Sequence, residues 1–278
     1  MNPTTAIKIV KPHSERSIAE DAASVWAHRE LVLVLVRREI SVRYRQTVVG
    51  LLWVLLQPLI TTAIFTTVFV FFLRIPNQDG QSYPLFAFAG IAVWQYFTRI
   101  VSDGGNSLVA NASLVAKVAF PRLVLPLVSP IAAAMDCLVA IIMLVLLTAF
   151  FGAHLSWTVI FAPLVILAVG LFGYAVVLWL APLNAIYRDV GILVPFALQI
   201  AMYLSPIVYP ATLVPEKVRW LYELSPAAVM VDSMRWVVLG TNAPTLGGIA
   251  VFAAVTVLLF WGGTRVFRST EGNLVDRI

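Results

Sequence analysis

Six long apolar runs, each closed off by charge or proline, dominate this sequence: 51–73, 84–106, 123–150, 157–181, 190–206 and 247–266. A helix needs about 20 apolar residues to cross the roughly 30 Å hydrocarbon core of a bilayer, and a helix satisfies its peptide groups internally where no water can. Each run therefore reads as a membrane-spanning helix. The second and fifth carry the weakest signal: the clean stretch 85–97 of the second is short and Arg99 and Asp103 follow it, and the fifth is itself short. Composition agrees, since 60% of the 278 residues are hydrophobic and 12% are charged, about half the charged share of a soluble domain. A water-soluble fold is excluded. The expected fold class is an all-α integral membrane protein, with residues 1–50 as a cytoplasmic tail and interfacial amphipathic helix and 51–278 as a six-span domain.

Charge fixes the expected orientation. Lysine and arginine concentrate in cytoplasmic segments, and with the N-terminus inside, 15 of the 19 basic residues fall on the inner side. The outer side holds only Arg74, Lys217, Arg219 and Arg235. Both termini are thus expected in the cytoplasm, and the net charge of +5 marks a membrane face rather than a nucleic-acid surface. The first 24 residues carry Lys8, Lys11, Glu15, Arg16, Glu20 and Asp21 without an apolar core, so no cleaved signal peptide is expected. The segment 26–46 has an apolar stretch, 31–36, too short to cross, followed by Arg37, Arg38, Arg43 and Arg45. This predicts a helix lying in the cytoplasmic interface, as a headgroup anchor, a protein-docking element, or both.

Between the fifth and sixth runs, Pro206, Pro210, Pro215 and Pro226 punctuate about 40 residues. Proline favours the first turn of a helix, so two short helices are predicted near 214–224 and 226–239. The second, with Val229, Val231, Met234, Trp236, Val237, Val238 and Leu239, is too apolar for a free loop and is expected to dip into the outer leaflet or cap a cavity.

Covalent chemistry finds no residues to carry it. The four lysines (Lys8, Lys11, Lys117, Lys217) all lack the preceding glycine of a phosphate-binding loop, His13, His28 and His154 are scattered, and Cys137 is the single cysteine. No nucleotide, metal or nucleophile site can be assembled from these spacings. Asp136 is the one ionisable residue central to a span. It is too little for a proton relay, and it reads as protonated or hydrogen-bonded to a neighbouring helix whose identity the sequence does not give.

Several stretches together resemble the permease subunits of ABC-2-type exporters of polysaccharide and polyol phosphate (O-antigen, capsule, teichoic acid). The longest is RREISVRYRQTVVGLLWVLLQP, residues 37–58; a second is NASLVAKVAFPR, 111–122, followed by Leu125 and Pro126. Further matches are Tyr187-Arg188-Asp189, LSPIVY at 204–209, and the tail from Phe267 to Glu271 and Asp276. They are spread over nearly the whole chain at the places a six-span topology expects. The resemblance implies a bacterial cytoplasmic (inner) membrane protein, not an enzyme. It would act as a homodimer with two copies of an ATP-binding cassette subunit that carry the ATP and magnesium, so that no cofactor belongs to this chain.

Within that frame, the coupling segment 106–120 would sit in a groove of the ATPase. Its candidate contacts are Leu108, Asn111, Leu114, Val115, Lys117, Val118, Phe120 and Arg122, with Pro121 ending the element. A polymer path would run between two copies. At about 100° per residue, Thr61, Phe65, Phe69 and Phe72 share one side of the first span with Pro58, and Phe196, Gln199 and Tyr203 form a stripe on the fifth. Aromatic faces stack on the C–H faces of sugars and a few polar groups exchange hydrogen bonds with hydroxyls, although aromatic residues at this spacing also pack between helices. Trp53 and Gln57 belong to the cytoplasmic end of that path or to an interfacial anchor. Tyr209, Trp220, Tyr222 and Trp236 are candidates for an outer gate. The expected cargo is a lipid-linked polysaccharide such as O-antigen. An exporter of drugs or small lipids is the runner-up, and a membrane polysaccharide polymerase is disfavoured by the lack of paired outer carboxylates beyond Asp79, Glu216, Glu223 and Asp232.

Overall fold

The computed structural model describes residues 17–45, 52–74, 81–209 and 214–271. Gln46, Asp79, Pro210 and Asp276, and the middle of the 37–58 stretch, lie outside them. Twelve α-helices are described: α1 (Ile18–Ala27), α2 (Arg29–Arg45), α3 (Leu52–Thr66), α4 (Tyr83–Gly105), α5 (Ser107–Ala110), α6 (Ala112–Lys117), α7 (Val124–Phe150), α8 (Ala162–Ile186), α9 (Val190–Leu204), α10 (Glu216–Glu223), α11 (Pro226–Leu239) and α12 (Leu246–Glu271). A π-helical turn, Thr67–Phe72, extends α3, and a 3-10 turn, Trp157–Phe161, leads into α8. No strand occurs among the described residues.

Five of these helical stretches are long and apolar enough to cross a membrane: Leu52–Phe72, Tyr83–Gly105, Val124–Phe150, Trp157–Ile186 and Leu246–Glu271. They match the first, second, third, fourth and sixth predicted spans. The fifth, α9, has 15 residues, about 22 Å at 1.5 Å per residue, short of the hydrocarbon thickness. The chain is a multi-pass membrane protein.

The helix with the weakest apolar signal is the centre of the bundle. In α4, 78% of the most apolar stretch is buried inside the protein, against 11% for α3 and 17% for α12. Helices α7, α8, α11 and α3 surround it. Close approach depends on small residues: a Cβ on Gly104 would lie 2.5 Å from Ser129 Oγ and 2.8 Å from Val177, and one on Gly173 would lie 2.8 Å from Ile100. Pro130 interrupts α7 and removes the donor that would have served the carbonyl of Pro126. Ser129 replaces it, its hydroxyl lying 3.1 Å from that carbonyl and 3.2 Å from that of Ile100.

The predicted interfacial segment is two helices, divided at His28. Ser17 and Glu20 form a capping box on α1. Helix α2 lies against α7 with Val32, Leu35 and Val36 buried, so it is docked on the bundle by its own apolar face. Leu33, Val34 and Val42 point outward. The two predicted outer helices are α10 and α11, and α11 is deeply enclosed, with nine of its residues buried.

Candidate functional site

The carboxylate that the sequence left without a partner is the focus of a polar cluster. Asp136 of α7 accepts a hydrogen bond from Arg43 of α2 at 2.7 Å and another from the hydroxyl of Tyr44. Arg99 of α4 stands 3.6 Å away. Arg43 also donates to Asp103 of α4 at 2.7 Å and to Glu39 of its own helix at 3.1 Å. One guanidinium thus ties α2 to both α4 and α7. Burial works against the charge on Arg43, but Asp103 and Asp136 outweigh it and its pKa is raised. Burial, with the hydrogen bond to Asp136 next, pushes the Tyr44 phenol up to about 12. Burial and the facing Asp103 raise Glu39. Sequence reasoning missed this cluster, and its signal was available: Arg99 and Asp103 counted against the second span, whereas charges at membrane depth are partners for one another.

Two cavities flank the cluster. One, about 310 Å3, lies between α2, α3, α4 and α7, with Trp53, Gln57 and Gln95 on its wall. The other, about 330 Å3, lies between α2 and the start of the coupling segment, lined by Arg38, Asn106, Ser107 and Asn111 among others. Arg43 and Asp103 line both, so their ion pair is a common wall.

The predicted coupling segment is the pair of short helices α5 and α6, with Val118 extended after them. Of its predicted contacts, Leu108 and Val115 are buried in the chain's own core, at 0% and 6% exposure. They are not part of an outward docking face, because the first turn of α5 and the middle of α6 pack inward. Lys117 and Val118 are exposed and Leu114 and Phe120 half-buried; the outward strip continues through Val109 and Ala116. Asn111 accepts from Arg38 at 3.3 Å and donates to the carbonyl of Ser107. Arg122 is occupied with Glu271 at the end of α12, donating to its carbonyl and lying 3.9 Å from its carboxylate. Arg268 pairs with Asp21 of α1, its Nε 2.7 Å from the carboxylate. The ends of the described chain are therefore joined to this face.

Along α3, Phe65 and Phe69 are half-buried: their rings lie 6.1 Å apart and Phe69 stacks on Tyr83 at 5.7 Å. Pro58 is buried, Thr61 is half-buried and donates back to the carbonyl of Gln57, and Phe72 is 75% exposed. The predicted stripe is thus turned partly toward α4. On α9, Phe196, Gln199 and Tyr203 are all exposed, and no residue of that helix is buried. Both α3 and α9 rest on α4.

At the end of the bundle that carries α10 and α11, the hydroxyls of Tyr209 and Tyr222 lie 3.3 Å apart and Tyr209 donates to the carbonyl of Leu204. Trp220 is exposed on α10. Trp236 is not with them; it stacks on Phe161 at 5.9 Å. A buried arginine, which the sequence reading counted only as an outer charge, organises this end. Arg235, 3% exposed, donates to the carbonyls of Phe86 (3.3 Å), Pro206 (3.2 Å) and Ile207 (2.7 Å) and lies over the Phe86 ring. It supplies donors to carbonyls freed where α9 ends at Ser205 and Pro206.

A bundle of apolar helices with an amphipathic helix docked on it and a deeply enclosed short helix, α11, defines a multi-pass membrane domain. The chain belongs to the ABC-2 type transporter family, whose match spans residues 30–239. It is 28% identical over 256 residues, 91% of its length and 97% of the relative's, to the O-antigen export system permease protein RfbA of Myxococcus xanthus. It is 30% identical over 210 residues, 74% of its length and 79% of the relative's, to a protein of the same name from Klebsiella pneumoniae.

Proposed function

We propose that this chain is the permease subunit of an ATP-driven exporter that moves a lipid-linked polysaccharide of the O-antigen class across the bacterial cytoplasmic (inner) membrane. The observation that carries this reading is the similarity over 91% of the chain to an O-antigen export permease. Two copies assemble with two copies of an ATP-binding cassette subunit, which hold the ATP and magnesium. The termini are cytoplasmic, and α9 together with the residues after it completes a sixth crossing.

The outward strip of the coupling segment, with Leu114, Lys117, Val118 and Phe120, seats the ATPase. Asn111 orients the segment through Arg38, and Arg122 through Glu271. Movement there reaches the bundle through the Arg43–Asp103 wall shared by the two cavities. Helix α9 has no residue buried in the single chain, which leaves its stripe open to a second copy. A second copy brings its Phe196, Gln199 and Tyr203 opposite Thr61, Phe65, Phe69 and Phe72, a surface on which a sugar chain slides by stacking and exchanging hydrogen bonds. Tyr209 and Tyr222 with Trp220 close the outer end, and Trp236 anchors α11 behind them.

Depletion of the protein in its native cell tests the reading, with surface polysaccharide and lipid-linked polymer inside both quantified. The expected result is loss outside with accumulation inside. Loss of both pools would make the chain part of synthesis, and no change in either would leave a drug or small-lipid exporter.

A further inference from the structure

The cavity between α3 and α4 carries polar groups that the bundle does not use. Gln95 sits midway along α4 and Gln57 on α3, and neither side-chain amide has a hydrogen-bond partner among the described residues. Gln57 is exposed and Gln95 half-buried, and both line the same cavity, where a polar guest can replace the water that such amides otherwise bind. Trp53, 59% exposed, offers an indole face on the same wall.

The charges decide what kind of guest. Arg43 and Arg99 stand on the wall with Asp103 and Asp136, two cations against two anions, and the Arg43 guanidinium is engaged by three carboxylates. A phosphate or pyrophosphate group needs cations free to fork onto its oxygens. A neutral ring bearing hydroxyls needs mixed donors and acceptors of moderate strength and a flat apolar face, which amides, carboxylate oxygens and an indole provide. The volume of about 310 Å3 is at the small end for ligand sites, which run from about 300 to 1,000 Å3. That accommodates a sugar ring or two and excludes a polyprenyl chain. At about 100° per residue, Trp53, Gln57 and Thr61 follow one another along the same side of α3, so the cavity lies at the foot of the stripe assigned to the polymer path.

We propose that this cavity is a binding site for a neutral sugar residue of the polymer at the cytoplasmic end of its path, with Trp53 as the stacking platform and Gln57 and Gln95 as the hydrogen-bonding pair. The proposal rests on the exporter reading and adds a specific site to it. The test uses the full complex with its ATPase partner in lipid vesicles, with polymer purified from the native cell, and reads the polymer concentration giving half-maximal stimulation of ATP hydrolysis. Trp53→Ala and Gln95→Leu should each raise that concentration about tenfold, and Trp53→Phe should recover most of the loss. Replacing an unpaired amide by leucine removes a polar cost, so Gln95→Leu should melt no lower than the wild type; a weaker response then reports lost binding rather than lost fold. Unchanged half-maximal concentrations in both variants would overturn the site while leaving the exporter reading intact. Competition by inorganic pyrophosphate against polymer in the wild type, abolished in the variants, would overturn it in favour of a headgroup site. A wild-type complex with no response to polymer would bring down the exporter reading and this site with it.

Discussion

Replacing Arg43 with methionine removes charge-assisted hydrogen bonds to three carboxylates at once and strands the most buried of them, Asp136. Asp136 has a side chain only 12% exposed, and stripping the partner from a buried ion pair costs about 3–5 kcal/mol. Tyr44 remains bonded to it and Arg99 remains 3.6 Å away, which holds the cost near the lower limit. Asp103, 40% exposed, is relieved by solvent and adds at most about 1 kcal/mol. The expected loss is therefore about 3 kcal/mol. Helix α2 should stay docked, because Val32, Leu35 and Val36 are buried and each contributes about 1.5–3 kcal/mol. The double change Arg43→Met with Asp136→Leu replaces the pair by apolar side chains of similar reach, which is often neutral, and should recover to within about 1 kcal/mol of the wild type. Graded SDS unfolding of the four proteins completes the cycle. A single-variant loss under about 1 kcal/mol, or a double variant weaker than the single, would refute the view that Arg43 exists to compensate Asp136.

Adjacent glycines in α4 should respond in opposite senses. A Cβ on Gly104 would meet Ser129 Oγ at 2.5 Å, whereas on Gly105 the nearest atom is Leu180 Cβ at 3.7 Å. Gly104→Ala should thus destabilise by about 1–3 kcal/mol and Gly105→Ala should stabilise by up to about 1 kcal/mol, both read as unfolding midpoints. The Tyr44 phenol, raised from 10.0 to about 12, donates to Asp136 only while protonated. Its contribution is fully present below pH 10 and is lost as the pH rises through 12; Tyr44→Phe should flatten this part of the stability profile. Arg235→Lys keeps a charge but loses the fork that reaches three carbonyls, leaving buried acceptors unpaired at about 1–3 kcal/mol each. A lowered melting midpoint, with Arg219→Lys on the neighbouring α10 as control, checks this.

Hydropathy reports how much of a helix faces lipid, and it read five crossings to within a few residues for that reason. It also ranked the crossings by lipid exposure rather than by importance. Helix α4 can carry Gln95, Arg99 and Asp103 because protein, not lipid, surrounds it, so the weakest run in the sequence is the structural centre. The break at His28, the inward turn of Leu108 and Val115, and the partial burial of Phe65 and Phe69 depend on neighbours distant in sequence, and helical periodicity names a face without saying what covers it. The phenylalanine stripe illustrates this: its shared side of the helix was legible, but Tyr83, which stacks on Phe69, belongs to another helix.

The polar cluster was the least legible part, and the reason is electrostatic. Asp136 and Arg43 are 93 residues apart, and a buried carboxylate constrains only the sum of what surrounds it, so Arg99 alone, or a proton, would have served on paper. The geometry adds that one guanidinium meets carboxylates from two helices while lining two cavities. Exchanging that charge for a proton on Asp136 would satisfy the buried carboxylate but take a partner from Asp103 and Glu39, which solvent then serves. The preference for an arginine over a lysine follows from the number of acceptors, three in this fold, because a lysine, with its single point of charge on a flexible stem, would leave at least one of them at a distance.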